Sequence, residues 1–389
     1  MPEDPTIFIL LEVGLLIVAS SLGSELFKKF RLPGVIGAIV VGLFIGGPGG
    51  FGLVTDFSVI NLLAVLGSVL ILFTTGLEFD ASAFWKVGKK AFLLTTVGVV
   101  LSVLFGFGIG FALGFSWQAA FLLGAALAPS GTSVVAAMLS AEGAINTKTG
   151  STLLTAVIVD DIEGILILTV ALGAVLEGTF SVTSLFRVGV IATLFIFASI
   201  YIGSKIFPLL VKRFERTLSD EVFFAILLGS GLILAFVSTR VGLAAVTGAF
   251  IMGAIIPYNK VGEKLANRLL MMKEIFAAVF FTSIGLVISP LGIVAALPVG
   301  LIILSVAITA RLAGGLAGGR LAGFRGKTLW ALTIGLAVRA EMSFIIAYEG
   351  VAMGIVGTDF LTLTAISVIG SMFVVLPLFS KLIKPIRAS

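Results

Sequence analysis

LLTAVIVDDIEGILILTVAL, Leu153 to Leu172, is an apolar run of membrane-spanning length with three carboxylates at its middle: Asp160, Asp161 and Glu163. One charge at the centre of a spanning helix costs about 2.5–3.5 kcal/mol on insertion scales. A chain that keeps three there uses them, and an ion or proton pathway is the default reading. Two carboxylates this close in a low dielectric cannot both stay ionised cheaply. A proton and a small cation can therefore compete for one site. That competition alone yields exchange if the site must be filled to cross.

The flanking sequence is of the same kind. Of 389 residues, 59% are hydrophobic and 12% charged, against about 25% charged in soluble domains. Apolar runs near the ~20 residues needed to cross a bilayer predict thirteen spans, at 6–26, 32–48, 57–78, 90–114, 117–140, 149–174, 181–210, 221–240, 242–258, 269–289, 293–319, 328–352 and 359–384. The fold class is an all-α polytopic membrane protein in the lipid bilayer. The chain has no Cys and no His. That excludes disulfides and thiolate sites, and it removes the common proton shuttle and zinc ligand. Proton chemistry must run on Asp and Glu, and no cofactor is implied. Met1–Pro5 is acidic, so the first run reads as a spanning helix and not as a cleaved signal.

The basic residues give an orientation. Starting outside, the loops that fall inside carry Lys28, Lys29 and Arg31, then Lys86, Lys89 and Lys90, then Lys148. They continue with Lys212, Arg213 and Arg216, then Lys260, Lys264 and Arg268, then Arg320, Arg325 and Lys327, and the tail adds Lys381, Lys384 and Arg387. The other face holds Arg187 and Arg240. This bias predicts an N-terminus outside and a C-terminus in the cytoplasm, as in a plasma-membrane protein. It also accounts for the net charge of +5 without nucleic acid.

Arg311 and Arg339 fall within apolar runs. Arginine cannot lose its charge in a protein, so each needs a counter-ion or a polar cavity. The acids at that depth are Glu12, Asp160, Asp161, Glu163, Glu341 and Glu349. They predict a buried ion-pair network between spans six, eleven and twelve. Span five contains Pro129-Ser130-Gly131-Thr132-Ser133, and span twelve contains Arg339-Ala340-Glu341. Proline and glycine break helices. Interrupted helices at matching places in two repeats point to a transporter's midplane site, where half-helix ends offer dipoles and carbonyls to a bare cation. The small-residue run Leu312–Gly319 suits close helix packing, and span six is its expected neighbour.

Six segments, in order and on the expected spans, carry a resemblance. They are Arg31-Leu32-Pro33-Gly34-Val35-Ile36-Gly37, Leu72-Phe73-Thr74-Thr75-Gly76-Leu77-Glu78, Asp160-Asp161, Val246–Gly253, Phe280–Gly285 and Arg339-Ala340-Glu341. Together they resemble the cation:proton antiporter-2 family of sodium/proton and potassium/proton exchangers. Ala38 stands where many relatives have Glu, and Arg311 where those with an aspartate pair usually have Lys. Ser130–Ser133 differs from the commoner crossover, and Glu163 has no counterpart. A soluble nucleotide-sensing domain like that of the potassium-efflux branch is not expected here, which weakens that reading.

The resemblance implies the sodium/proton antiporter fold: two inverted six-helix repeats plus a linker, with two crossed broken helices. It places scaffold and dimerisation helices at 1–80 and 221–290, core helices at 90–176 and 293–389, and the linker at 181–210. Asp161 is the expected carrier of Na+ and H+, with Asp160, Ser130, Thr132 and Ser133 as further ligands. Asp160 is also expected to face Arg311, and Glu163 to pair with Arg311 or Arg339. Arg339 and Glu341 are expected to neutralise the half-helix ends of span twelve. Glu12 is expected at a dimer interface or a lipid headgroup. Lys can release a proton when buried and Arg cannot, so Arg311 predicts less net charge per cycle. The partners implied are a monovalent cation, a proton and a second copy of the chain.

Three other classes fit less well. A sodium-coupled organic-anion symporter would show more polar groups at the crossover and fewer spans. An intramembrane aspartyl protease needs two aspartates on different helices facing one water, and these are adjacent. No P-loop supports an ATP-driven pump.

Overall fold

The computed structural model describes residues 5–30, 32–46, 50–54, 57–78, 81–176, 182–215, 219–240, 243–256 and 260–387. Residues 1–4 and two of the basic residues expected on the cytoplasmic side, Arg31 and Arg216, lie outside the described residues. So do the side chains of several others, Lys86, Lys212, Lys260 and Lys264 among them. The chain divides into two compact units, 1–81 with 172–289, and 82–171 with 290–389.

The first unit is built on α1 (Pro5–Lys29), α2 (Gly34–Ile45) and α3 (Phe57–Glu78). In the second, α4 (Ala81–Ala112) precedes two half-helices, α5 (Trp117–Ala126) and α6 (Thr132–Ala141), and the acidic helix α7 (Lys148–Leu176). The chain then returns to the first unit with α8 (Val182–Glu215), α9 (Asp220–Arg240), α10 (Ala245–Ile255) and α11 (Lys260–Val287). It finishes the second with α12 (Pro290–Leu321), the half-helices α13 (Gly326–Gly335) and α14 (Glu341–Ala352), and α15 (Asp359–Arg387). Among the described residues there are thus fifteen helical segments, with spans five and twelve each supplying two.

Among the described residues, seven helices are long and apolar enough to cross a membrane. The helices α2 and α10 are shorter than the predicted 32–48 and 242–258, at 12 and 11 residues. Local chemistry sets those ends. Pro33 begins α2 and Gly46 leaves it extended at ψ 173°. Ile256 ends α10 extended at ψ 124°, as expected for a residue that precedes a proline in sequence.

In the first unit Gly42 and three glycines of the resemblance segments, Gly76, Gly253 and Gly285, have a packing role. α3 lies against α10 and α11, and α2 against α1 and α11. A Cβ on Gly42 would sit 2.9 Å from the Cα of Gly285, and one on Gly76 would sit 3.0 Å from the Cα of Gly253. Backbones that close tolerate no side chain, so α2–α11 and α3–α10 cross on paired glycines. Glu12 is buried here, 4% exposed. That corrects its expected headgroup contact, because its position on α1 faces inward.

In the second unit α12 lies against α13 and α15, and α14 against α5 and α15. The small-residue run of α12 seats close neighbours. Gly314 and Gly318 meet α4 at Leu93, Leu94, Val97 and Gly98, Gly315 meets α13 at Thr333, and Gly319 meets Leu329 of α13 and Leu94 of α4. Glycines at i and i+4 open one groove and those at i+1 and i+5 another, so a single run seats two helices.

Candidate cation and proton site

Two breaks meet in the second unit. α5 ends at Leu127 (φ −87°, ψ −3°) and α6 begins at Thr132. α13 ends at Leu336 (φ −76°, ψ −7°) and α14 begins at Glu341. The spacing from the last cap to the new helix is the same in both. The breaks touch where the Gly131 N–H donates to the Val338 carbonyl at 3.0 Å. A Cβ on Gly131 would run into Ala340.

Each break exposes helix-end groups that membrane burial makes costly. The arginines take the carbonyl ends. Arg339 donates to the carbonyls of Pro129 at 3.3 Å, Ala128 at 3.5 Å and Ala307 at 3.2 Å. Its own N–H donates to Ser371 Oγ at 3.0 Å. Arg311 Nε and Ser130 Oγ both donate to the Leu336 carbonyl, at 3.1 and 2.8 Å. Glu341 takes an amino end. It accepts from the Ser133 N–H at 3.1 Å and the Ser133 hydroxyl at 2.8 Å, in the first turn of α6. The expectation that Arg339 and Glu341 serve span twelve is therefore corrected in part. Arg339 and Glu341 reach across to the ends of α5 and α6, because the crossing brings those ends closer than the carbonyl end of α13.

Asp160 is consumed by the same crossing. It accepts from Arg311 Nη2 at 2.5 Å and from the Ser130 N–H at 2.6 Å, and Ser130 Oγ accepts a further bond from Arg311 at 3.0 Å. Asp160 and Ser130, expected as cation ligands beside Asp161, are tied into the crossover by these bonds.

Asp161 points differently, as neighbours about 100° apart on a helix must. Its carboxylate accepts from the Thr132 hydroxyl at 2.8 Å, on the first residue of α6. Asp161 is buried, Thr132 half-buried, and Ser133 exposed. A carboxylate and a hydroxyl at the amino end of a half-helix, with exposure rising away from them, can bind a small cation or a proton. The hydroxyl offers oxygen lone pairs, and the carboxylate either a charge or a proton.

Glu163 pairs with neither arginine. Its Oε1 accepts from the Thr96 hydroxyl of α4, and its Oε2 is buried without a hydrogen-bond partner. Its placement one turn past Asp160 puts it beside α4, and Arg311 is held by Asp160, Ser130 and the Leu336 carbonyl. Sequence reasoning missed Thr96, Ser371 and the carbonyls of Leu336 and Ala307. A lone hydroxyl or carbonyl in an apolar run carries no pattern.

A family profile described as "Sodium/hydrogen exchanger, transmembrane" matches residues 15–381. The chain belongs to that exchanger family. It is an integral membrane protein. The chain is 29% identical to the "Na(+)/H(+) antiporter" of Enterococcus hirae, over 96% of this chain and 95% of that one. It is 26% identical to the "Na(+)/H(+)-K(+) antiporter GerN" of Bacillus cereus, over 94% of each. The fold matches that of the sodium proton antiporter MjNhaP1 from Methanocaldococcus jannaschii at pH 8, with a TM-score of 0.79 at 17% identity over 98% of both chains. The all-α antiporter fold expected from the sequence is thus the fold of this exchanger.

Proposed function

We propose that the chain is a secondary antiporter that exchanges a monovalent cation for H+ by alternating access, with Asp161 as the shared carrier. The contact between Asp161 and Thr132 at the opening of α6 carries this reading. Na+ is the first choice of cation. K+ is the alternative, because the names of similar proteins include both ions. The cation is cargo, held by the Asp161 carboxylate and the Thr132 hydroxyl, with Ser133 and Glu341 on the exposed side.

The unit that carries both breaks is the transporting core. The other unit is the scaffold that meets a second copy in a homodimer. The N-terminus lies outside and the C-terminus in the cytoplasm of a plasma membrane, on the support of the basic-residue bias.

Arg311 keeps its charge and occupies Asp160, whose two oxygens are both taken by donors. Proton release then falls to Asp161 alone, one proton against one monovalent cation, and the exchange is electroneutral. In proteoliposomes with an internal pH dye, Na+ or K+ pulses should dequench the wild type and leave Asp161→Asn silent. Undiminished exchange by Asp161→Asn would remove the assignment.

A further inference from the structure

A cleft of about 450 Å³ opens at the turn between α12 and α13, lined by Arg320, Phe324, Arg325, Gly326, Leu329 and Trp330. It lies at the start of α13, whose other end reaches the crossover, and no step of the exchange uses it. The turn is well defined. Gly323 sits at φ +86°, the Phe324 N–H donates to the Gly319 carbonyl at 2.9 Å, and the Gly323 N–H donates to the Arg320 carbonyl at 3.0 Å. This closing motif fixes the last turn of α12 against the start of α13. It thereby sets Arg320 and Arg325 on one cleft.

The charge in that cleft is not balanced. Among the described residues no ion pair or side-chain hydrogen bond involves Arg320 or Arg325, and Lys327 beside them is exposed. The first turn of α13 contains no acid, and Arg325 and Lys327 stand there instead. Cations at a helix amino end oppose the helix dipole, so Arg325 and Lys327 stand where positive charge is locally unfavourable, whereas Arg320 lies in the last turn of α12, where it is favoured. An anion in the cleft reverses that cost.

The walls identify the kind of anion. Trp330 is 45% exposed, and Phe324 and Leu329 supply the apolar lining beside it. An amphipathic ring and an apolar side chain beside exposed arginines are the pattern of a bilayer interface. Guanidinium groups bind phosphate oxygens in pairs. Basic pockets at the ends of membrane helices hold anionic headgroups.

We propose that this cleft binds the phosphate of an anionic phospholipid headgroup, with Arg320 and Arg325 on the phosphate oxygens and Trp330 against the glycerol and upper acyl chain. Phosphate chemistry is shared by soluble anions, so the test separates the two sources.

Trp330 serves as the probe in full-length, delipidated protein carrying Trp85→Phe and Trp117→Phe. Short-chain phosphatidylglycerol should change its emission saturably, and phosphatidylcholine should not. Arg320→Gln with Arg325→Gln should weaken the phosphatidylglycerol response at least tenfold and leave cation exchange in phosphatidylcholine vesicles intact. The single variant Arg325→Gln, with a smaller loss, covers a double variant that fails to fold. Displacement by inorganic phosphate at equal concentration would overturn the lipid assignment in favour of a soluble anion. An equal response in wild type and both variants, or none in the wild type, would overturn the site. The readout needs no transport, so its outcome is independent of the exchange reading.

Discussion

Arg311 Nη2 lies 2.5 Å from Asp160 Oδ1, with the two side chains 1% and 0% exposed. Removing one partner of such a pair leaves an uncompensated buried charge, which costs about 3–5 kcal/mol. Arg311→Met should therefore lower the unfolding temperature sharply. Asp160→Asn should do so too, and the double variant should recover part of the loss. Thermal unfolding in detergent measures all four corners of that cycle. Additive losses would show that the pair is not coupled.

The same pair bears on charge movement. If Arg311 never releases a proton, a Na+ pulse at symmetric pH should give little current on a solid-supported membrane. Arg311→Lys keeps a positive charge but can deprotonate, and its current should rise if the protein stays folded. A large current from the wild type would mean that a second group moves charge in each cycle.

Thr132 supplies one hydroxyl to Asp161. Thr132→Val keeps the shape and removes the oxygen. It should raise the apparent KM for the cation about tenfold, the equivalent of ~1.4 kcal/mol, with a smaller effect on maximal rate. A dose series in proteoliposomes gives both constants. A changed rate with an unchanged KM would place the hydroxyl outside the cation's ligand set.

Glu341 caps α6 from across the crossover through Ser133. Loss of a helix cap costs about 0.5–2 kcal/mol. Glu341→Ala should speed hydrogen exchange at the first amides of α6 while leaving α5 protected. Equal exchange in variant and wild type would show that other groups satisfy that end.

Gly98 lies under the guanidinium of Arg311, where a Cβ would sit 3.0 Å from Nη1. Gly98→Ala should push the arginine off its contacts and cost about 1–3 kcal/mol, as overpacking does. Gly108, on the same helix, has nothing within 4 Å of where a Cβ would stand. Gly108→Ala should be close to neutral in the same melting assay.

Membrane character, the two interrupted helices, the acids at membrane depth and the two arginines that need partners were all legible in the sequence. Each follows from a local cost: charge in hydrocarbon, or a backbone group without a donor. Those costs depend on residue type and position along the chain, and a sequence states both. The pairing of Asp160 with Arg311 was expected from the resemblance, and the structure shows it. The other partnerships were not legible. That Arg339 serves the end of α5, that Glu163 turns to Thr96, and that one glycine run seats two helices depend on which helix ends the crossing brings within hydrogen-bond reach. Only the tertiary structure decides that, because a bond of about 3 Å is set by the packing of helices far apart in the chain.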